Sequence, residues 1–190
     1  MSGRVDIIIS TLTWTQARAD QIDFSIPYYS ATGRLLVPNN STLTVGTLAN
    51  KTVVTTRGAL YATWVRNCFK NTKLLEVDSP ALATAAVKDG RADTFMFDDA
   101  FLLGVATQDS EVRLTGDKFL NVPWGIGIRK GDTATSRWVN AALRYMKKKD
   151  EFVKILKANA PARLVGSFLD NVPRPKNTFE YPVGKDVTSI

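Results

Sequence analysis

The feature that most constrains the fold is an alternation of short apolar runs and helical patterns through the middle of the chain. Three runs rich in β-branched and aromatic residues are each followed by a segment with helical spacing. The predicted strands cover 51–56, 73–77 and 94–97, and the helices cover 58–69, 80–90 and about 99–106. Strands that alternate with helices form a parallel sheet with right-handed crossovers. The sequence therefore predicts an α/β fold.

Further elements flank this segment. Strands are expected near residues 4–10, at 33–37 and at 122–129, and helices at 16–21, from 133 onward and at about 150–158. The long helix after Asp132 places Trp138, Ala142, Tyr145 and Met146 on one face. From Pro161 onward four prolines interrupt the pattern, which indicates a wrapping or loose tail.

Composition excludes several kinds of chemistry. The 190 residues include no histidine and one cysteine, Cys68, which argues against histidine-based catalysis, disulfides and zinc-thiolate sites. No apolar run approaches the roughly 18–20 residues that cross a bilayer. The net charge of +7 favours acidic partners, but the basic residues are scattered apart from Lys147–Lys149. We therefore expect no cofactor, no metal ion and no nucleic-acid partner.

The first candidate site follows the first predicted strand, at the sheet edge where open α/β folds bind ligands. Thr11 and Thr13 offer hydroxyl and backbone N–H groups, and Arg18 carries a two-donor fork that suits a carboxylate. A structural role is equally open here. Thr15 could cap a short helix, and Arg18 could be a solvated surface residue.

Two more candidate sites follow later strands. Gly58 opens a helix whose first N–H groups, at Ala59 and Leu60, would point toward an anion. The turn lacks the endings of a P-loop and of a dinucleotide-binding loop, and an ordinary strand-to-helix turn is the alternative. Asp98 follows the strand at 94–97, so its carboxylate either binds an ammonium group or caps the next helix.

Together these loops resemble one family. Thr13–Arg18 and the following Ile22–Tyr29 resemble the T-x-T-x-x-R and D-F-S-x-P-Y-Y signature of the polar amino-acid solute-binding proteins that serve bacterial ABC importers. Four further elements match in the same order. They are Val5–Ile7, Thr56–Gly58, Gly90–Asp98 and Pro123–Asp132, and with the signature they cover about residues 4–158.

The resemblance implies the type II periplasmic-binding fold, in which two lobes are joined by a two-strand hinge. It implies that the protein captures an amino acid in the periplasm and delivers it to the membrane subunits of an ABC importer. Arg18, assisted by Thr11 and Thr13, would bind the α-carboxylate, as would the N–H groups of Ala59 and Leu60 after Gly58. Asp98 would accept the α-ammonium group. Arg57 beside this turn favours acidic ligands slightly over neutral ones.

Two departures from the family pattern shape our expectations. Ala59 and Leu60 stand where hydroxyl residues are usual. We expect the β-α-β-α segment that precedes the Val5 strand in the family to be missing, and we expect no signal peptide. We therefore expect a partial first lobe (1–38 plus 120–170), a second lobe (39–119) and a tail (171–190). We also expect impaired amino-acid binding and a homo-oligomer formed through the incomplete lobe.

Three other functions remain open. A truncated scaffold of the same fold would not bind an amino acid, or would only self-associate. A dehydratase-like enzyme on this fold would have Asp98 or Asp99 as its acid–base group, because the chain has no histidine. A nucleic-acid binder would exploit the net charge, but no recognised motif or aromatic platform accompanies the basic residues.

Overall fold

The structure is a computed structural model that describes residues 5–183. Nine strands and seven α-helices lie within these residues. They follow one another as β1 (Ile7–Ile8), α1 (Gln16–Ala19), β2 (Ile22–Phe24), β3 (Tyr29–Pro38), β4 (Thr52–Thr56), α2 (Leu60–Cys68), β5 (Lys73–Val77), α3 (Pro80–Lys88), β6 (Thr94–Asp98), α4 (Asp99–Gln108), β7 (Val112–Leu114), β8 (Phe119–Trp124), β9 (Gly127–Arg129), α5 (Thr133–Lys148), α6 (Glu151–Asn159) and α7 (Ala162–Phe168).

The described residues form two compact units. Unit 1 contains residues 5–31 and 121–183, and unit 2 contains residues 32–120. The larger sheet has the strand order β5-β4-β6-β3-β7, with β8 also pairing with β3. In this sheet β4 is parallel to both β5 and β6, as the alternating segment predicts. Strand β3 is antiparallel to β6 and β7.

Unit 2 buries both faces of its sheet. Alternate residues along a strand point to opposite faces, and neighbouring residues here enter different clusters. Leu35, Val53 and Met96 pack on one face with Tyr61 and Trp64 of α2. The other face packs against α3 and α4, through residues that include Leu36, Val54, Phe95, Ala83 and Leu102. This double cover explains why the central strands are continuous apolar runs.

Unit 1 is built on a three-stranded antiparallel sheet in the order β1-β9-β2. Ile128 at its centre lies opposite Ile7 on one side and Asp23 on the other. Val139 and Leu143 of α5 pack against Ile128. The region expected as one strand at 122–129 is therefore two strands, β8 and β9, with a break at Gly125 and Ile126.

The face of the long helix on which helical spacing places Trp138 and Tyr145 is not the face that packs on the sheet. Val139 and Leu143 are buried, whereas Trp138 is 70% and Tyr145 62% exposed. The aromatic residues share helical spacing, but they lie one position away from the buried stripe. Helix α5 therefore presents two aromatic side chains to solvent.

The region after Pro161 is more ordered than predicted. Pro161 is the N-cap of α7, whose Leu164 is buried. Farther along, the Tyr181 ring stacks on Trp14 at 5.5 Å between centroids, and its hydroxyl donates to the Ser25 carbonyl at 2.6 Å. The sequence left a wrapping tail and a loose tail open, and as far as residue 183 the structure fits the wrapping tail, because aromatic packing fixes this segment without any periodic pattern.

Candidate functional site

The candidate site of unit 2 lies at the carboxyl ends of two neighbouring parallel strands. Val53 and Val54 of β4 lie beside Thr94 and Phe95 of β6. Because parallel strands end at the same edge of a sheet, the turn after β4 and the Asp98 carboxylate at the end of β6 share this edge. The sheet thus brings together two segments that are about 40 residues apart in sequence.

The turn after β4 leaves the start of α2 uncapped. Gly58 has φ of +74°, a conformation that glycine adopts without strain. Ala59, the N-cap residue, makes no side-chain hydrogen bond to the helix. The N–H groups of Leu60 and Tyr61 have no acceptor within the helix, so this end carries partial positive charge.

One predicted donor is already engaged. The Ala59 N–H donates to the Thr56 carbonyl at 3.1 Å, so it closes the turn and does not point toward a ligand. The expectation that Ala59 and Leu60 act as a pair of donors is therefore corrected. The two N–H groups that have no acceptor within the helix are those of Leu60 and Tyr61, one residue farther along.

Asp98 is buried, with 5% of its surface exposed. The Tyr61 hydroxyl donates to its Oδ1 at 2.6 Å. Asp98 occupies the N-cap position of α4, but its side chain makes no capping hydrogen bond. The capping alternative left open by the sequence is therefore not what the carboxylate does. It lies against the first turn of α2 instead.

The Tyr61 hydroxyl keeps its proton and therefore remains a hydrogen-bond donor to Asp98. Burial raises the pKa of its hydroxyl well above the usual value, and the charge of Asp98 raises it further. The sequence reasoning missed this residue. Its position three residues after Gly58, in the first turn of the predicted helix, is the signal that could have identified it.

Asp99 is bonded differently from Asp98. Its two carboxylate oxygens accept the Thr32 hydroxyl at 2.9 Å and the Thr32 N–H at 3.3 Å. Burial lowers the pKa of the nearby Arg34 guanidinium, and the Asp99 charge opposes that shift. Asp99 therefore anchors the start of α4 to β3, while Asp98 belongs to the candidate site.

Arg57 lies at the surface next to this turn. Its Nε is 3.1 Å from Asp78 Oδ1, and both side chains are more than half exposed, at 66% and 79%. An exposed ion pair of this kind contributes little to stability because water screens it.

The predicted residues of unit 1 form a separate group. Arg18 Nη1 donates to the Thr13 carbonyl at 2.7 Å, and Thr13 itself is buried. Thr15 caps α1 by accepting the Arg18 N–H at 3.2 Å, as the structural alternative proposed. Arg18 is half-buried against its own loop, and Thr11 is exposed.

Two absences hold for the part of the chain that the structure describes. Within residues 5–183 no three acidic, cysteine or histidine side chains cluster closely enough to hold a metal ion. Each helix described is too short or too polar to cross a bilayer.

Comparison with known proteins decides the family. Residues 1–160 match the sequence profile of the bacterial extracellular solute-binding proteins, family 3. The chain belongs to this family. The resemblance of its loops to amino-acid solute-binding proteins is thereby confirmed, and the family consists of binding proteins rather than enzymes.

Relatives of known name include two glutamine-binding proteins. The ABC transporter protein GlnH of Bacillus subtilis (strain 168) is 32% identical over 158 residues, which are 82% of this chain and 58% of that protein. The protein of Geobacillus stearothermophilus is 35% identical over 131 residues, 68% of this chain and 50% of that protein. The matched part of the chain therefore covers between half and three fifths of the length of these relatives.

Solved structures confirm the fold class. An ancestral arginine-binding protein bound to glutamine superposes with a TM-score of 0.77 at 30% identity, over 83% of this chain and 72% of that one. Holo ArgBP from T. maritima gives a TM-score of 0.74 at 28% identity, over 83% and 70% of the two chains. The α/β fold is that of the type II periplasmic-binding proteins.

Proposed function

We propose that the chain binds a polar α-amino acid and delivers it, in the periplasm, to the membrane subunits of an ABC importer. The observation that carries the proposal is the pairing of a buried carboxylate with an uncapped helix start at one sheet edge of unit 2. Asp98 offers negative charge, and the N–H groups of Leu60 and Tyr61 offer partial positive charge. An α-amino acid carries the complementary ammonium and carboxylate on a single carbon.

Burial gives this arrangement its strength. A carboxylate removed from water is stabilised only when charged or hydrogen-bonded groups surround it, and Tyr61 supplies one such bond. This bond is already charge-assisted, and an incoming ammonium group would add a second such bond together with the opposite charge. The glutamine-binding and glutamate-binding names of relatives agree with this ligand class.

The roles of the unit 1 residues rest on the family resemblance. Arg18 is the predicted ligand for the α-carboxylate, and Thr11 and Thr13 are predicted to assist it. The bidentate fork of arginine is the side chain best suited to that task. We expect Arg18→Gln to weaken amino-acid binding without unfolding the protein.

We propose that the protein slightly prefers amino acids with an acidic side chain over those with a neutral one. Support comes from Arg57, whose exposed ion pair with Asp78 can be exchanged for one with a ligand carboxylate. Titration with glutamate, glutamine and arginine tests this order. Arg57→Gln should remove a preference for glutamate, whereas a wild-type preference for glutamine would contradict the acidic assignment and leave the amino-acid class intact.

We propose a modest affinity as well. Ala59 places no hydroxyl at the start of α2, so the helix end contributes backbone donors only. We expect Ala59→Ser to tighten binding about fivefold, the worth of one hydrogen bond of about 1 kcal/mol. Unchanged or weaker binding in this variant would contradict that explanation.

We also propose that the chain self-associates through the outer edge of β1. This strand lies at one end of its sheet, and its Ile8 and the following Ile9 are 39% and 64% exposed. Unpaired edges flanked by apolar side chains favour strand addition from a second copy. Light scattering over a range of concentrations should show a dimer or larger species, and a monomer throughout would contradict the proposal.

Asp98→Asn tests the central part of the proposed function. The amide has nearly the same shape but no charge, so the ammonium group loses its counter-ion and binding should fall by more than tenfold. Asp89→Asn, which changes an exposed carboxylate of unit 2, is the matched control and should bind normally. Equal affinity of the two variants in calorimetric titration would refute the role of Asp98.

A further inference from the structure

The positive charge of the chain is concentrated in its last three helices, contrary to the scattered distribution expected from the sequence. Residues 133–168, which span α5, α6 and α7, include eight basic and two acidic residues, a net charge of +6 out of +7 for the chain. One of the two acids is neutralised locally, because Glu151 accepts Lys154 Nζ at 2.7 Å. The remaining surface of these helices is cationic.

Helix α5 combines this charge with exposed aromatic rings. Its sequence contains no acidic residue, and within residues 5–183 none of its cations forms an ion pair. Trp138 and Tyr145 are seven residues apart, so they lie on one side of the helix about 10 Å from each other. Ala141 lies between them and Ala134 precedes Trp138, and both alanines are exposed, so no large side chain covers the rings from this side of the helix.

Cations border the aromatic stripe. Arg137 and Arg144 each precede one of the exposed rings, and Lys148 lies at the end of the same side. Ile155 of α6, a helix that packs against α5, is 49% exposed and adds apolar surface. We call the set Arg137, Trp138, Arg144, Tyr145 and Lys148 the α5 surface. None of its residues belongs to the candidate site.

We propose that the α5 surface docks on the headgroup region of an anionic lipid bilayer. Tryptophan and tyrosine are the residues that prefer the membrane–water interface, and arginine and lysine attract anionic headgroups. A helix with both groups on one side lies in the plane of the interface with its aromatic rings inserted. The opposite side of α5, through Val139 and Leu143, packs on the sheet and fixes the orientation of the helix.

Exposed rings distinguish a lipid surface from a nucleic-acid duplex. The phosphate backbone of a duplex is contacted by cations, and Trp138 and Tyr145 would remain as exposed apolar area beside it. A lipid interface accommodates both the cations and the rings. The choice of a bilayer over a duplex therefore depends on the aromatic residues.

The four tryptophans allow a direct test. Trp14, Trp64 and Trp124 are buried, at 6%, 4% and 8% exposure, so Trp138 at 70% is the one that collisional quenchers reach. The full chain is mixed with vesicles of phosphatidylglycerol and phosphatidylcholine in equal parts, or of phosphatidylcholine alone. With the anionic vesicles at low salt, we expect the protein to co-sediment with the vesicles, the Trp138 fluorescence to shift to shorter wavelength, and iodide to quench that fluorescence less. Each effect should be reversed as added salt screens the charges.

Paired variants separate charge from insertion. Trp138→Ala with Tyr145→Ala, and Arg137→Glu with Arg144→Glu, should each lower vesicle affinity roughly tenfold or more. The controls Leu82→Ala and Lys70→Glu with Lys73→Glu make similar changes at exposed positions of unit 2 and should bind as wild type. The proposal is wrong if anionic vesicles do not bind at low salt, if the aromatic variant binds normally, or if duplex DNA binds while vesicles do not.

Discussion

Asp98 and Tyr61 are 37 residues apart in sequence, yet their side chains share one short hydrogen bond in the buried part of unit 2. Composition and local spacing could predict that a carboxylate follows the strand at 94–97. They could not predict what the carboxylate contacts, because that depends on how α2 packs over the sheet. The sequence therefore identified the charge at this site, and the structure supplied the donor that orients it.

The first prediction concerns that donor. Tyr61→Phe keeps the ring in the core but leaves an Asp98 oxygen without its partner, so the free energy of unfolding should fall by about 1–3 kcal/mol. Amino-acid affinity should fall as well, roughly tenfold, because Asp98 loses its fixed orientation. Denaturant unfolding and calorimetric titration measure the two effects.

Tyr181→Phe is the matched control for this change. Its hydroxyl also donates a 2.6 Å hydrogen bond, to the Ser25 carbonyl in unit 1. We expect this variant to lose stability but to bind amino acids normally. If both variants lose affinity equally, Tyr61 acts through general stability and does not position Asp98.

A second prediction concerns Gly33, which lies opposite Asp98 in the pairing of β3 with β6. A Cβ at this position would lie 2.5 Å from the Phe119 ring and 2.8 Å from the Tyr61 ring. Gly33→Ala should therefore destabilise the protein by about 1–3 kcal/mol through overpacking. Gly104→Ala, in α4 with open space around it, should instead stabilise by up to about 1 kcal/mol. Thermal unfolding measures both changes, and melting temperatures that shift in the same direction for the two variants would contradict this account.

At the scale of elements, local chemistry predicts helix starts well. Ser79 caps α3 and Asp132 caps α5, as the sequence indicates, because these side chains accept N–H groups within the same turn. Elements fixed by distant contacts were predicted less well. Helix α7 was missed because Pro161 suggests a break, although proline is compatible with a helix start.

The cap of α5 gives a prediction about pH. Asp132 accepts the Thr135 N–H at 3.0 Å and the Thr135 hydroxyl at 2.7 Å, and these bonds hold the pKa of its carboxyl below the usual value. The folded state therefore binds this proton more weakly than the unfolded state does. The resulting stabilisation is present above the ordinary aspartate pKa of about 3.9 and is lost as the pH falls below it.

Asp132→Asn separates the titration from the cap. Asparagine caps a helix about as well as aspartate but does not titrate in this range. Between about pH 5 and pH 3 we expect the wild type to lose more stability than the variant. Denaturation midpoints measured across this interval check the result, and parallel curves for the two proteins would contradict it.

At the scale of the whole molecule, the fold and the family could be predicted because five ordered sequence matches and the α/β alternation agree. The concentration of positive charge in residues 133–168 is visible in the sequence, and our expectation of scattered charge overlooked it. Most of the net charge lies on α5, α6 and α7, where exposed aromatic residues accompany it. Helical spacing places Trp138 and Tyr145 on one face, but only packing shows that this face is turned to solvent.

The most direct measurement is a calorimetric titration of the chain with glutamate and, in parallel, with N-acetylglutamate. Both ligands carry the same carboxylates, but acetylation removes the ammonium charge that Asp98 is proposed to bind. We expect glutamate to bind and N-acetylglutamate to bind at least tenfold more weakly, the difference expected for a lost charge-assisted hydrogen bond. Equal affinity for the two ligands, or no heat with any amino acid, would contradict the proposed function.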